Sequence, residues 1–414
     1  MTENSHSLTA YQLRVLAVLA LINFVNFADR QVIVPLVPLL RDQLGVTDAQ
    51  LGSLQTWLLV ILAVASIPSG FLADRISRKR IIAAGVIFWS LATMASGLAL
   101  SFTFLLVARA LVGVGEAAYA PAAQSMISGA FPRESRARAL AVFASGMLLG
   151  GASGLALGGV VGELRGWHYV FILVGAAGLV PGLAILRLAE PPRPPRSEVV
   201  PLSHLLRVPA FLAMIAAGMF ITFSSVSLLA WGIDFAVNYK DFSLREAAVS
   251  LAFTTFFSLV LGVLAGGYVA DRLQKKFVYG RIIAIAGAFL FAAPFVLLAI
   301  ESDTKWVVLG ALSIAGFFMS WYHGPVTAVI HDMMPQRAHA SSIGVYMFAT
   351  QLVGASGPQL VGKISDMRDL QIGLRVAVGV MVGGALLMFL VIYFIRRDGL
   401  HHPQLESFRT EQPD

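Results

Sequence analysis

The stretch Gly70-Phe-Leu-Ala-Asp74-Arg75-Ile-Ser-Arg78-Lys79-Arg80 decides the fold, because it returns in the second half of the chain as Gly267-Tyr-Val-Ala-Asp271-Arg272-Leu-Gln-Lys275-Lys276. Each copy is a short charged turn between two long apolar runs. A basic turn alone says only that a loop lies on the membrane face where cations are retained. A Gly and an Asp at fixed spacing ahead of the cations, in both copies, says that the chain is duplicated. The similarity extends beyond the turns. Phe131-Pro132-Arg-Glu-Ser-Arg-Ala-Arg-Ala-Leu-Ala-Val-Phe143 aligns with Met334-Pro335-Gln-Arg-Ala-His-Ala-Ser-Ser-Ile-Gly-Val-Tyr346, and Gly151-Ala-Ser-Gly154 with Gly354-Ala-Ser-Gly357 at the same offset.

Composition places the duplicated unit in a membrane. Of 414 residues, 57% are hydrophobic and 13% charged, where soluble domains run at roughly 45 to 50% apolar and about 25% charged. Mean hydropathy is +0.78. A spanning helix needs about 20 mainly apolar residues, and twelve such segments are predicted, near residues 13–38, 51–72, 81–100, 104–128, 138–162, 168–188, 210–236, 247–270, 281–299, 306–330, 341–364 and 373–395. The expected fold is an all-α integral membrane protein with twelve transmembrane helices in two pseudo-symmetric six-helix halves. Its expected parts are an N-terminal half at 1–188, a cytoplasmic linker at 189–206, a C-terminal half at 207–397 and a cytoplasmic tail at 398–414. Pro191, Pro192, Pro194 and Pro195 favour a stiff extended linker, and Leu202 to Arg207 is expected to form a short interfacial helix. Parallel repeats of this kind place a substrate site near the bilayer midplane, where the halves rock to alternate access.

A pI of 9.8 would fit nucleic acid binding, but the cations here are sorted by loop. With the N-terminus inside, twenty Lys and Arg fall on the cytoplasmic side and eight outside, while Arg30 and Arg109 lie within helices. That asymmetry is the signature of membrane orientation, so both termini are expected in the cytoplasm, in a plasma or bacterial inner membrane, with no nucleic acid partner. The chain has no cysteine, which removes disulfides and thiolate metal sites. His331-Asp332 and His401-His402 have no partners at ligand spacing, so no metal and no cofactor are expected. Gly113-Val-Gly115-Glu116-Ala-Ala118 fits a loose dinucleotide fingerprint, yet it sits inside an apolar helix rather than between a strand and a helix. No phosphate-binding Gly-x-x-x-x-Gly-Lys-Ser/Thr run supports ATP-driven transport, and no nucleophile constellation supports an enzyme. The N-terminal segment shows no small-residue cleavage site and reads as an uncleaved first helix.

Charge at mid-membrane is expensive, about 2.5 to 3.5 kcal/mol per group on insertion scales, and marks functional positions. Arg30, Arg109 and Glu116 are the deepest such groups, with Asp29 beside the first. On the first helix Asn23, Asn26 and Arg30 share one face, and Asp29 points about 100° away. On the fourth, Arg109, Gly113, Glu116 and Tyr119 form a stripe. One reading has Arg109 and Glu116 neutralising each other; the other has Glu116 loading and releasing a proton as access alternates. A second stripe, Gly146, Gly150, Gly154, Gly158 and Gly162, recurs every four residues and allows close helix approach, either as a packing face or as part of a gate.

The paired Gly-x-x-x-Asp-Arg turns resemble signature motif A of the major facilitator superfamily. Within it, Asn23-Phe-Val-Asn26-Phe-Ala-Asp29-Arg30, the 70–79 turn and Arg109-Ala-Leu-Val-Gly113-Val-Gly115-Glu116-Ala-Ala-Tyr119 resemble the Spinster family of sphingolipid and lysophospholipid transporters; Asp-Arg in the first helix is also similar to the anion:cation symporter branch. The resemblance implies a secondary transporter that moves an anionic amphiphile, a lysophospholipid or a sphingosine phosphate, by alternating access with proton coupling. It implies that Arg30 binds the anionic head, that Glu116 and Asp29 titrate, that Arg109 is the arginine of motif B, and that Gly70, Asp74, Arg75 and Arg78 with Gly267, Asp271 and Arg272 gate the cytoplasmic side. The second half is no strict mirror, since Ser320 stands near the position related to Glu116.

The remaining candidates for substrate binding are Asn23, Asn26, Arg109, Tyr119, Trp231, Tyr322, His323 and Gln351, with Ser224, Ser225, Ser227, Trp321 and Thr350 as further cavity residues. The aromatics are equally read as helix packing or interface anchors, and His323 as a neutral hydrogen-bonded imidazole or a coupling group. Expected partners are a small amphiphilic anion, protons and membrane lipids, around a monomer. An organic-anion or drug:proton carrier is the rival within the class. A channel or scramblase is the rival outside it.

Overall fold

The computed structural model describes residues 9–192 and 201–397, with the side chains of residues 70, 71, 73, 74 and 133 outside that description. Residues 193–200 of the expected linker and the expected tail at 398–414 lie outside the described residues. Among the described residues the apolar runs fold as twelve helical segments: α1 (Ala10–Leu44), α2 (Asp48–Arg75), α3 (Arg78–Ser96), α4 (Phe102–Ala130), α5 (Arg133–Arg165), α6 (Trp167–Ala184), α7 (Pro209–Tyr239), α8 (Leu244–Lys276), α9 (Gly280–Glu301), α10 (Lys305–Met333), α11 (His339–Gly354 continued by Gly357–Met367) and α12 (Leu370–Arg397). Ten are long and apolar enough to cross a membrane by length and composition. Of the other two, α3 begins with Arg78, Lys79 and Arg80, and α11 is interrupted at Ala355 and Ser356. Of the short helix expected at Leu202 to Arg207, within the linker, Leu202–Leu205 is helical.

Helix ends follow from their side chains. Thr9 and Gln12 satisfy each other's backbone N–H at the start of α1, and Ser101 accepts from Phe104 at the start of α4. Both are side-chain caps for donors that the helix itself leaves unpaired. Breaks follow from proline. Pro121 has no N–H to offer the Ala117 carbonyl, and α4 is interrupted at Ala118; Pro325 stands in the same relation to Trp321, and α10 passes through a 3-10 turn at Ser320–Tyr322. Removing the i to i−4 bond and adding a ring at the preceding turn is what breaks a helix. Each break falls beside a residue of functional interest, Glu116 in one half and His323 in the other.

The helices pack as two compact units. One takes in the described residues of Met1–Val46, Trp57–Pro195 and Ser243–Ala252, the other those of Thr47–Thr56, Arg196–Phe242 and Phe253–Asp414. Inside the first, α1 packs on α5 and α6, and α3 on α4 and α6. Inside the second, α7 packs on α11 and α12, and α9 on α10 and α12. The two sets of pairings are the same with six added to each number, which is the duplication of the sequence expressed as packing.

The glycine stripe of α5 explains the tightest of these pairings. A Cβ on Gly146 would lie 2.7 Å from the Ala20 carbonyl oxygen and one on Gly158 would lie 2.6 Å from that of Val32, while Gly150 and Gly154 abut the carbonyls of Phe24 and Ala28. No side chain fits there. The two backbones meet directly, in a solvent where packing rather than water exclusion drives association. This close approach fixes the depth and rotation of α1, and therefore of Asp29 and Arg30.

Candidate substrate and coupling site

Four charged side chains inside the first unit form two ion pairs. Arg30 on α1 donates through Nε to Glu116 Oε2 on α4 at 2.7 Å. Arg109 on α4 donates through Nη1 to Asp29 Oδ1 on α1 at 2.8 Å, and through Nη2 to the Asp29 carbonyl at 3.2 Å. Each helix supplies one cation and one anion. Successive positions on α1 differ by about 100°, so Asp29 and Arg30 take different partners along α4 rather than compete for one. Arg109 and Glu116 share a face, as their spacing predicts, but the structure pairs each with α1 and not with the other.

The two pairs differ in access. Arg109 and Asp29 side chains are 0% and 1% exposed, whereas Arg30 is 18% exposed and Glu116 0%. Asp29 also accepts from the Thr93 hydroxyl on α3, and the Arg109 guanidinium lies 5.4 Å from the Phe171 ring centroid on α6. That pair is enclosed by four helices and its charges are matched within a buried site. A wholly buried pair holds only while both partners remain, because removing one leaves an uncompensated charge at a cost of about 3 to 5 kcal/mol. Arg30, stacked 5.0 Å from the Phe27 centroid, is the cation that can be reached. Glu116 Oε1, Arg109 Nε and Asn26 Nδ2 have no hydrogen-bond partner although buried, so polar capacity is left over around the pairs.

Glycine sets the position of Glu116. A Cβ on Gly113 would lie 2.5 Å from the Leu58 carbonyl oxygen of α2, and one on Gly115 would lie 2.8 Å from the Trp89 nitrogen of α3. The run that carries Glu116 is thus wedged against two backbones and then broken by Pro121.

Other expected residues are placed as follows. Asn23 donates to the Phe143 carbonyl at 2.8 Å and is buried. Tyr119 is 1% exposed, gives its hydroxyl to the Leu19 carbonyl at 3.0 Å and meets the Trp89 ring edge-on; its contacts are those of a packing residue. In the second unit Trp231 is buried and donates to the Pro358 carbonyl at 3.0 Å. Ser224 and Ser227 bond carbonyls of their own helix. The Tyr322 and Tyr346 hydroxyls are hydrogen-bonded to each other, His323 is exposed and Gln351 half-buried. An apolar groove of about 580 Å³ runs between α8 and α10, lined by Phe253, Phe257, Leu261, Ile314, Phe317 and Phe318 with three small hydroxyl side chains.

The two charged turns are held differently. Side chains of Gly70 and Asp74 lie outside the described residues, and Arg75 is exposed. Arg78 is 2% exposed: it donates to Glu190 at 3.1 Å, to Ser125 at 3.0 and 3.1 Å, and to the Pro191 carbonyl. Lys79 reaches the Leu188 carbonyl at 3.0 Å. Arg78 thus ties the first residues of the linker, and Lys79 the residue just before them, to the start of α3. Burial alone raises the pKa of Glu190, but the hydrogen bonds from the Ser77 hydroxyl and from the Arg78 backbone and guanidinium prevail and hold it below the ordinary carboxyl value. In the second unit Asp271 pairs with Arg281 at 2.9 Å, Arg281 also binds Asp332 at 2.8 Å, and Arg272 bonds the Tyr268 hydroxyl at 2.7 Å. A Cβ on Gly267 would meet nothing within 4 Å.

The sequence profile described as the Major Facilitator Superfamily matches residues 19–358. The chain belongs to the major facilitator superfamily. Secondary transport is the business of that superfamily. A curated relative described as protein spinster homolog 1, from Bos taurus, is 27% identical over 85% of this chain and 72% of its own length. Another, described as an MFS-type efflux pump of Mycolicibacterium smegmatis, is 26% identical over 87% of this chain and 86% of its own. Among solved structures, a bacterial homologue of the human lysosomal transporter Spinster in an inward-facing, occupied conformation superposes with a TM-score of 0.86 at 24% identity, over 95% of this chain and 99% of that one. That likeness establishes the facilitator fold. Thr93, Phe171, Glu190 and Arg281 were not singled out by the sequence, and Asp332 was weighed only as a metal ligand. Glu190 had a signal, an acid directly after an apolar helix and before a run of prolines; Thr93, in the middle of an apolar helix, had none.

Proposed function

We propose that this facilitator carries an anionic amphiphile of the lysophospholipid or sphingosine-phosphate class by alternating access, coupled to protons. The observation that carries the reading is the pair Arg30–Glu116, in which a reachable guanidinium is held by a fully buried carboxylate. A guanidinium fork suits phosphate or carboxylate and stays charged at any working pH. An anionic head competes with Glu116 for Arg30; protonating Glu116 ends the competition. One carboxyl thus links the anion to the proton, and the linkage is reciprocal. Asp29 and Arg109, locked together with Thr93, serve as the rigid counterpart, with Asp29 the alternative proton site. The Spinster-like relatives and the Phe-lined groove between α8 and α10 favour a cargo with a hydrocarbon tail.

The charged turns at 70–80 and 267–276 act as gating elements, both termini face the cytoplasm as the cation asymmetry requires, and the chain works as a monomer. The relative described as an efflux pump favours a second reading, proton-driven export of organic anions or drugs. Thermal-shift titration of the purified carrier separates the two, because a ligand that binds the native state raises its apparent stability. Single-chain lipid phosphates are expected to stabilise it and tail-less organic anions to leave it unmoved; the reverse order establishes the second reading.

A further inference from the structure

The second charged turn is longer than the first. Asp74 and Asp271 stand 197 positions apart, but from Phe131 and Met334 onward the two halves align at an offset of 203. The second copy therefore holds six residues more. Counted from the preceding glycine, Lys275 is the counterpart of Arg78; counted from the helix that follows, Arg281 is. The folded chain decides for Arg281. Both arginines stand in the first turn of the third helix of their half, and both reach the end of the fourth, Arg78 to Ser125 on α4 and Arg281 to Asp332 on α10. The extra residues thus fall between Arg272 and Arg281, in the run Leu273-Gln-Lys275-Lys276-Phe277-Val278-Tyr279-Gly280.

That run is held on a firm frame with four side chains turned outward. α8 continues through Lys276, and the Phe277 N–H closes it on the Leu273 carbonyl at 2.7 Å. Gln274 spans the turn: its Nε2 donates to the Val278 carbonyl at 2.8 Å, and its Oε1 accepts the Arg281 N–H at 3.1 Å. A Cβ on Gly280 would strike the Leu273 backbone, so α9 starts directly against the end of α8. On this frame Lys275 and Lys276 are exposed, and Phe277 and Val278 are 54% and 59% exposed. The charges nearby do not balance. Arg281 takes the two acids Asp271 and Asp332, Arg272 bonds the Tyr268 hydroxyl, and Arg396 at the end of α12 lies 5.2 Å from the Tyr279 ring centroid. Lys275 and Lys276 have no hydrogen bond, ion pair or ring contact among the described residues. In the first copy, by contrast, Arg78 and Lys79 are engaged by Leu188, Glu190 and Pro191.

We propose that Lys275, Lys276, Phe277 and Val278 form a docking site for an anionic phospholipid of the surrounding membrane. Cations just beyond a membrane helix attract anionic headgroups, and apolar side chains beside them suit the boundary between headgroups and acyl chains. A turn already fixed by Gln274 and Gly280 loses little freedom on binding. The ammonium groups take the phosphate, and the Phe–Val pair lies against the acyl chains. The inference rests on the membrane fold and on neither the cargo nor the coupling ion. With no native cysteine, one reporter labels cleanly. Leu264, 69% exposed on α8, stands three turns before Lys275 on the same face, about 16 Å along the axis, at the depth of an acyl chain. Leu264→Cys carrying bimane is placed in nanodiscs on the full chain, and its quenching by phosphatidylglycerol with brominated chains is compared with that by phosphatidylcholine bearing the same chains. At about 1 kcal/mol per cation and 1.4 kcal/mol per factor of ten, phosphatidylglycerol is expected to be preferred up to about 30-fold. The preference is expected to fall to about five-fold in Lys275→Gln and to near parity in Lys275→Gln/Lys276→Gln. Arg138→Gln/Arg337→Gln removes the same charge at two exposed positions elsewhere and is expected to keep the preference. Raising salt toward about 1 M screens exposed charges and is expected to lower it in the chain with both lysines. Equal quenching by the two lipids, or a preference that survives loss of both lysines, overturns the proposal. So does a preference that emerges only after residues 398–414 are removed, which would make the tail the occupant.

Discussion

Replacing Glu116 by glutamine keeps the size of the side chain and removes its charge, so its effect on ligand affinity reads the competition directly. At 2.7 Å between Arg30 Nε and Glu116 Oε2, two unit charges attract by about 6 kcal/mol at an effective dielectric constant of ~20. Desolvation of Glu116, which is 0% exposed, offsets much of that, and breaking a wholly buried pair costs about 3 to 5 kcal/mol. Arg30 keeps 18% exposure, and solvent screening lowers the figure to roughly 1.5 to 3 kcal/mol. An anionic head that must displace Glu116 gains back that amount in the variant. At 1.4 kcal/mol per factor of ten, Glu116→Gln is expected to bind a single-chain lipid phosphate roughly 10- to 100-fold more tightly at neutral pH. The assay is calorimetric titration over a pH series. Affinity of the unsubstituted carrier is expected to rise on acidification toward the value of the variant, and that of the variant to stay flat. A variant that binds no more tightly and keeps the pH dependence refutes the competition.

Arg30→Lys is expected to lose most anion binding although it keeps the charge, because a point cation does not reproduce the planar fork; equal transport by Arg30→Lys and Arg30→Ala would remove Arg30 from the head-group site. Asp29→Asn leaves Arg109, which is 0% exposed, uncompensated, and is expected to lower stability by about 3 to 5 kcal/mol, read as a fall in melting temperature that Glu116→Gln does not match. Gly150→Ala puts a methyl group into the Phe24 carbonyl and is expected to cost about 1 to 3 kcal/mol through overpacking, measured the same way. Glu190 has a pKa held below the ordinary carboxyl value, so its anchoring of the linker is complete above about pH 4.3 and is lost as pH falls through the lowered folded value. Hydrogen exchange of residues 186–190 is expected to quicken only at that acid limit, and at neutral pH in Arg78→Ala.

The sequence made the fold legible because lipid leaves helices few options: backbone groups must be satisfied inside the segment, so apolar length alone marks each span. It made the duplication legible through Gly-x-x-x-Asp-Arg. The partners of the charges were less legible. Shared faces on α4 suggested that Arg109 answers Glu116, but a single-helix projection cannot say which neighbour is nearer, and α1 supplies better partners to both. The breaks in α4 and α10 were marked by Pro121 and Pro325, whose effect on the preceding turn is local chemistry. Arg78 looked like one cation among several in a turn; its burial depends on carbonyls of Pro191 and on Glu190, which only the folded chain brings near.

The central claim is that one carboxyl on α4 ties the movement of an anion to that of a proton. Its most direct test is uptake of a single-chain lipid phosphate into proteoliposomes with and without an imposed pH gradient, in the unsubstituted carrier, Glu116→Gln and Asp29→Asn. The account predicts that the gradient stimulates the unsubstituted carrier, and that Glu116→Gln retains exchange of bound substrate without any response to the gradient. Full gradient dependence in Glu116→Gln, with its loss in Asp29→Asn, would transfer the role to Asp29; gradient-independent uptake by all three would contradict proton coupling altogether.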